Sequence, residues 1–163
     1  MVKKYAAVGA VLVAVVLVMA FYPTEERKIR KLLRDTAGWA SKEGGENPVA
    51  IAARSKKANR FFAPEVDLAV EKIGLERSLS VDDVERGYLV LMRQKTVFKV
   101  KLADVGIEKT GDEAASAEAT VLVESEGGGG EGLSNVNEVA FGLHKGEEGW
   151  RISGIRVREV LER

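Results

Sequence analysis

Few side chains in this sequence combine the right type with a setting in which they could do chemistry. Glu71 ends the alternating run EVDLAVE, and Asp104 lies in VKLADVGIE, where the apolar alternation changes phase. Either carboxylate could act as a general base if it faced an apolar pocket that raised its pKa. Tyr88, in ERGYLVLM, is the matching hydrogen-bond donor. Strict alternation, however, puts Glu71 on the face opposite Val66, Leu68 and Val70, so it would need a bulge to turn inward. Asp104 stands alone at its bend, where a carboxylate ordinarily faces solvent.

The remaining polar features read as structure. His144, the single histidine, sits beside the turn Lys145-Gly146-Glu147-Glu148-Gly149, and strand ends of this kind lie on surfaces. Asp82-Asp83 follows Ser80 and fits a helix cap better than a cation site, because no third oxygen ligand has a recognisable spacing. The glycines at 127–130 lack the lysine and serine of a phosphate loop and make a flexible hairpin connection. No metal site and no cofactor are expected from these patterns.

Three helix starts position these residues. Thr24 precedes Glu25 and Glu26, and Ile29, Leu32, Leu33, Thr36, Ala37 and Ala40 follow at helical spacing, predicting a helix that ends near Gly44-Gly45. Its other face carries Arg27, Lys28, Arg30, Lys31 and Arg34, interspersed with acids as on a solvated face. Asn47-Pro48 opens a second helix running to Phe61-Phe62, where Pro64 stops it and a strand begins. Ser80 caps a third, carrying Tyr88 and Met92.

Four strand-like segments then run as an antiparallel meander, turning at Gly111-Asp112, at the glycine run and at Lys145–Gly149. Two of them change phase, one after Phe98, Val100 and Leu102 at Ala103-Asp104, the other around Gly154. Bulges at those points predict a strongly curved sheet with a concave interior.

The 163 residues carry 25 basic and 25 acidic side chains, so the formal net charge is zero and nothing global attracts nucleic acid. Cysteine is absent, which excludes disulfides, a thiol nucleophile and a thiolate zinc site. The chain begins MVKKYAAVGAVLVAVVLVMAFYP, uncharged from Tyr5 to Tyr22. A spanning helix needs roughly 20 apolar residues and a cleavable signal core about 7–15. Residues 1–23 are therefore expected to be a single-pass anchor, or a signal peptide cut before Phe21 that leaves a secreted or periplasmic protein. Residues 24–163 form the domain.

In order and in local wording, residues Glu25 to Leu161 resemble the nuclear transport factor 2-like superfamily. NRFFAPEVDLAVE resembles its helix-to-strand corner, SVDDVERGYLVLM its third helix, and GEEGWRISGIRVREVL its closing hairpin. The resemblance is narrowest to small exported or membrane-anchored bacterial members with no assigned activity. It implies an α+β cone of three helices on a curved, mainly antiparallel sheet, and a homodimer. Where the superfamily's isomerases place a base and an oxyanion-stabilising tyrosine, this chain has Val70-Glu71 and Ala37-Gly38-Trp39. The expectation is a non-catalytic binding or assembly domain whose apolar pocket, walled by Trp39, Phe62, Tyr88, Met92, Phe98 and Phe141, takes a small hydrophobic ligand. The alternatives are a lyase or isomerase acting on a small hydrophobic carbonyl compound, and an accessory subunit of an envelope protein complex.

Overall fold

A computed structural model of the chain describes residues 24–127 and 132–158. The expected anchor or signal segment lies outside them. Among the described residues, no helix is long and apolar enough to cross a membrane.

Helix α1 spans Glu25–Ala40, α2 Pro48–Ser55 and α3 Val81–Gln94. The strands are β1 (Phe62–Val70), β2 (Leu75–Ser80), β3 (Lys95–Lys109), β4 (Ala114–Gly127), β5 (Gly132–Gly146) and β6 (Gly149–Arg158). They form one sheet in the order β2-β1-β6-β5-β4-β3. The pairing of β1 with β6 is parallel, and every other pairing is antiparallel. The architecture is an α+β cone of three helices on a mixed, curved sheet.

All three helix starts are capped as their sequences require. The Thr24 hydroxyl accepts from the Arg27 amide, the Asn47 side chain from Val49, and Ser80 and Asp83 form a reciprocal capping box. The ends differ from the expectation. Helix α1 stops at Ala40 rather than near Gly44, because Ser41 turns extended and its hydroxyl donates back to the Ala37 carbonyl. Helix α2 also ends early, at Ser55, and a short 3₁₀ turn, Ala58–Arg60, carries the chain to Phe61. Pro64 lies inside β1, where pairing with β6 lapses between Phe62 and Asp67. A proline, with no amide to donate, is tolerated at such a gap. Strand β2 carries little sequence signal, since its LERSLS lies on the sheet edge with most residues exposed and no strong alternation.

Both phase switches are real. The β3–β4 register slips between Ala103 and Gly106, and Asp104 holds a left-handed φ of 51° there. The β5–β6 register slips between Gly142 and Leu143, next to Gly154, so that Ile152 and Ile155 both turn towards the helices. A bulge in each long hairpin bends the sheet around α1.

Helix α1 buries Ile29, Leu33 and Ala37 in that concavity and is tied at both ends. At its start, Glu25 accepts from the Trp150 indole (2.5 Å) and pairs with Lys145 (3.2 Å) and Lys28 (2.9 Å). At its end, the Ser41 hydroxyl accepts from the Val100 amide (3.0 Å), and Lys42 forms a bridge to Phe98. The Lys42 ammonium donates to the Met92 and Lys95 carbonyls, each at 2.8 Å, and so caps the end of α3.

Two predictions follow from these ties. Replacement of Lys42 by methionine leaves the end of α3 uncapped and is expected to cost about 1–3 kcal/mol in chemical denaturation. The Lys28, Trp150 and Lys145 contacts hold the Glu25 carboxyl at about 2 instead of 4.5. A pKa lowered on folding gives stability that is complete above about 4.5 and is lost as pH falls through about 2. The carboxylate is a quarter exposed, so solvent screening reduces this to about 1 kcal/mol. Glu25→Gln should therefore lower the midpoint at pH 7 and flatten the pH dependence of stability across that window.

Candidate functional site

The inward bend of the sheet under α1 leaves a chamber of about 170 Å³, partly open to solvent. From α1 it is lined by Leu33, Thr36, Ala37 and Ala40. The sheet contributes Val100 and Leu102 from β3, Val121 from β4, Val139 and Phe141 from β5, and Ile152, Ile155 and Val157 from β6. The space exists because α1 turns two alanines towards the sheet where its first half presents Ile29 and Leu33.

No side chain lining the chamber is ionisable. Its one polar side chain is Thr36, whose hydroxyl donates to the Leu32 carbonyl at 2.8 Å. General acid–base catalysis needs a titratable group within hydrogen-bond reach of the reacting atom, and this wall supplies none. Burial of apolar surface is what the chamber offers, at roughly 25 cal/mol per Å².

The residues singled out in the sequence fall in three places. Glu71 is exposed on a 3₁₀ turn (Glu71–Ile73) that links β1 to β2, and no bulge turns it inward. Asp104 is exposed at the β3 bulge and borders a shallow depression between α1 and β3. Tyr88 is buried elsewhere, its ring stacked on Trp39 at 4.4 Å. The structure does not bring these three together. His144 is exposed at a strand end, and no group of three or more histidine, aspartate or glutamate side chains could hold a metal among the described residues.

Of the six aromatic and methionine residues expected as pocket walls, Phe141 lines the chamber. Trp39, Phe62 and Tyr88 form a packed aromatic cluster with Phe61 under α2 and α3, and Met92 is buried in the same core. The half-buried Phe98 holds the bridge to Lys42. The chamber residues missing from the expectation are small or aliphatic. Their signal was present as Thr36, Ala37 and Ala40 on one face of α1, and as the shared parity of Val100 and Leu102.

The aromatic cluster rests on a polar frame. The Trp39 indole donates to the Arg54 carbonyl at 2.8 Å, while the Arg54 guanidinium donates to the Ser41 carbonyl at 2.7 Å and pairs with Glu46. The Tyr88 hydroxyl is buried beside Arg54 and, among the described residues, makes no hydrogen bond of normal geometry. Burial pushes its pKa up, and the adjacent Arg54 guanidinium opposes that both as a neighbouring charge and as a polar contact.

Chains of known structure share this architecture at low identity. The Kfla4162 protein of Kribbella flavida is 14% identical with a TM-score of 0.69, over 82% of this chain and 89% of that one. A Novosphingobium aromaticivorans protein provisionally named scytalone dehydratase is 9% identical, with a TM-score of 0.68 over 84% and 85%. A nuclear transport factor 2-like superfamily protein of Salmonella enterica is 18% identical, with a TM-score of 0.65 over 85% and 93%. No protein-family model matches the chain, and no curated protein sequence does. The fold is therefore that of the nuclear transport factor 2-like proteins, and what the site does has to be argued from its own residues.

A buried hydroxyl that makes no hydrogen bond costs stability. Tyr88→Phe is accordingly expected to raise the unfolding free energy by about 1 kcal/mol. A loss of stability instead would mean that the hydroxyl has an ordered partner.

Proposed function

We propose that this protein is a non-catalytic binding domain whose concave chamber takes a small apolar ligand or apolar chain. The observation that carries this reading is the chamber wall, which is aliphatic apart from Thr36 and Phe141 and free of titratable groups. Its size narrows the ligand. Drug-sized molecules occupy pockets of roughly 300–1,000 Å³, whereas apolar cavities near 150 Å³ hold a single benzene. At about 170 Å³ the chamber suits a fragment of that smaller class.

Two further parts belong to the proposal. Residues 1–22 tether the domain to a membrane or direct its export, as their uncharged length supports. The outer face of the sheet, where Gly142 and Gly154 pair across β5 and β6 beside Asp67 and Arg156, receives a second copy in a homodimer. Its acidic Asp67 and Glu76 and basic Arg156 make that face complementary to itself.

Native mass spectrometry of the protein purified without detergent tests the ligand, and fractionation of cells with and without residues 1–22 tests the tether. The first is expected to give a retained small apolar molecule that Val121→Phe abolishes. Turnover of a hydrophobic carbonyl compound that falls at least tenfold on Asp104→Asn or Glu71→Gln would replace the binding reading with catalysis.

A further inference from the structure

The apolar chamber shares part of its wall with a charged depression. Between α1 and β3 lies a second hollow of about 630 Å³, bordered by Arg30, Arg34, Lys101 and Asp104. Ala37, Val100 and Leu102 line both spaces, and Gly38 lines the charged one. At this boundary α1 thus presents an alanine and a glycine, and nothing lies within 4 Å of where a Gly38 Cβ would be. Three cations and one carboxylate border the depression. Arg30 is held by the Val105 carbonyl at 3.0 Å, while the Lys101 side chain, between Val100 and Leu102 in the strand, turns to the opposite face and pairs with Glu124 at 3.4 Å. Arg34 has no ion pair among the described residues.

We propose that the two spaces act as one amphipathic site for a single-chain anionic amphiphile. The apolar chain lies in the chamber, and a carboxylate or phosphate head meets Arg34, with Arg30 beside it. The inference rests on the reading of the chamber as an apolar binding site and adds the charge of the head. Complementarity carries it, since the hollow beside the chamber has an excess of positive charge on a protein of zero net charge. A hydrocarbon on the order of six carbons fills a cavity of this size, so medium-chain amphiphiles suit it. A single solvent-exposed ion pair gives up to about fivefold in affinity, and salt weakens it.

The test is calorimetric titration of the full-length protein with sodium octanoate, 1-octanol and octylammonium chloride at low and high salt. Octanoate is expected to bind about fivefold more tightly than octanol at low salt, with octylammonium weakest. In Arg34→Gln the ratio of octanoate to octanol affinity should fall towards one. Ala40→Leu, which fills the chamber, should abolish binding of all three, and Val100→Phe serves if that variant fails to fold. Equal binding of octanoate and octanol would overturn the anionic head while leaving the chamber intact. No binding of any of the three would remove the chamber reading as well. Octanoate binding that survives a filled chamber would mark a surface anion contact and overturn the proposal. Vesicles of anionic phospholipid form a separate arm: binding to them alone, without free octanoate, would assign the cations to a membrane surface instead.

Discussion

The concave side of this protein depends on how α1 is fixed above the sheet. A helix laid across a curved sheet can settle only as deep as its side chains and end contacts allow. Glu25 joins the first turn to Trp150 and Lys145 on the β5–β6 hairpin. Ser41 and Lys42 tie the other end to Val100 and Phe98 on β3, and Arg30 reaches the Val105 carbonyl just past the bulge. With α1 anchored from both ends, Ala37 and Ala40 in its last turn are held off the sheet, and a chamber persists beneath them. The same anchoring explains why a void lined by aliphatic side chains survives in a well-packed fold, since relaxation into a cavity is partial when the surrounding elements are held elsewhere.

The bulges complete the arrangement from the sheet side. Asp104 takes a left-handed φ that few residues other than glycine and asparagine adopt, and this single residue changes the parity of β3. A carboxylate there first suggests catalysis. In the folded chain it bends the strand towards α1, and its own side chain is exposed. The buried polar frame of Trp39, Arg54, Glu46 and Ser41 is likewise structural, orienting the aromatic cluster that closes the cone under α2 and α3. Neither feature brings an acid or base to the chamber.

Much of the fold was legible in the residues. Caps at Thr24, Asn47 and Ser80 are local chemistry, satisfied by neighbours two or three positions away, and all three formed as their sequences imply. The phase switches at Ala103-Asp104 and Gly154 could be read because alternation in a strand has a period of two and any slip reverses the buried face. The end of α1 was less accessible, because Ser41 and Lys42 leave the helix to satisfy partners on β3 and α3 that are some 50 to 59 positions distant in sequence. Strand β2 is illegible in the sequence for a related reason, as an exposed edge strand has little hydrophobic pattern and gains its order from pairing with β1.

The candidate site shows where local reading ends. The amino-acid sequence by itself determined the capped helices, the curved antiparallel hairpins and the lack of cysteine, because each follows from residue type and short-range spacing. Of the large residues expected as a pocket wall, Phe141 lines the chamber, while Trp39, Phe62 and Tyr88 pack against one another and Trp39 also borders a separate open hollow beside Arg54. Only the tertiary structure decided that the empty space lies beside Ala37 and Ala40, under a helix held at both ends. A cavity is defined by atoms that are missing between distant elements, and no single segment of sequence records that.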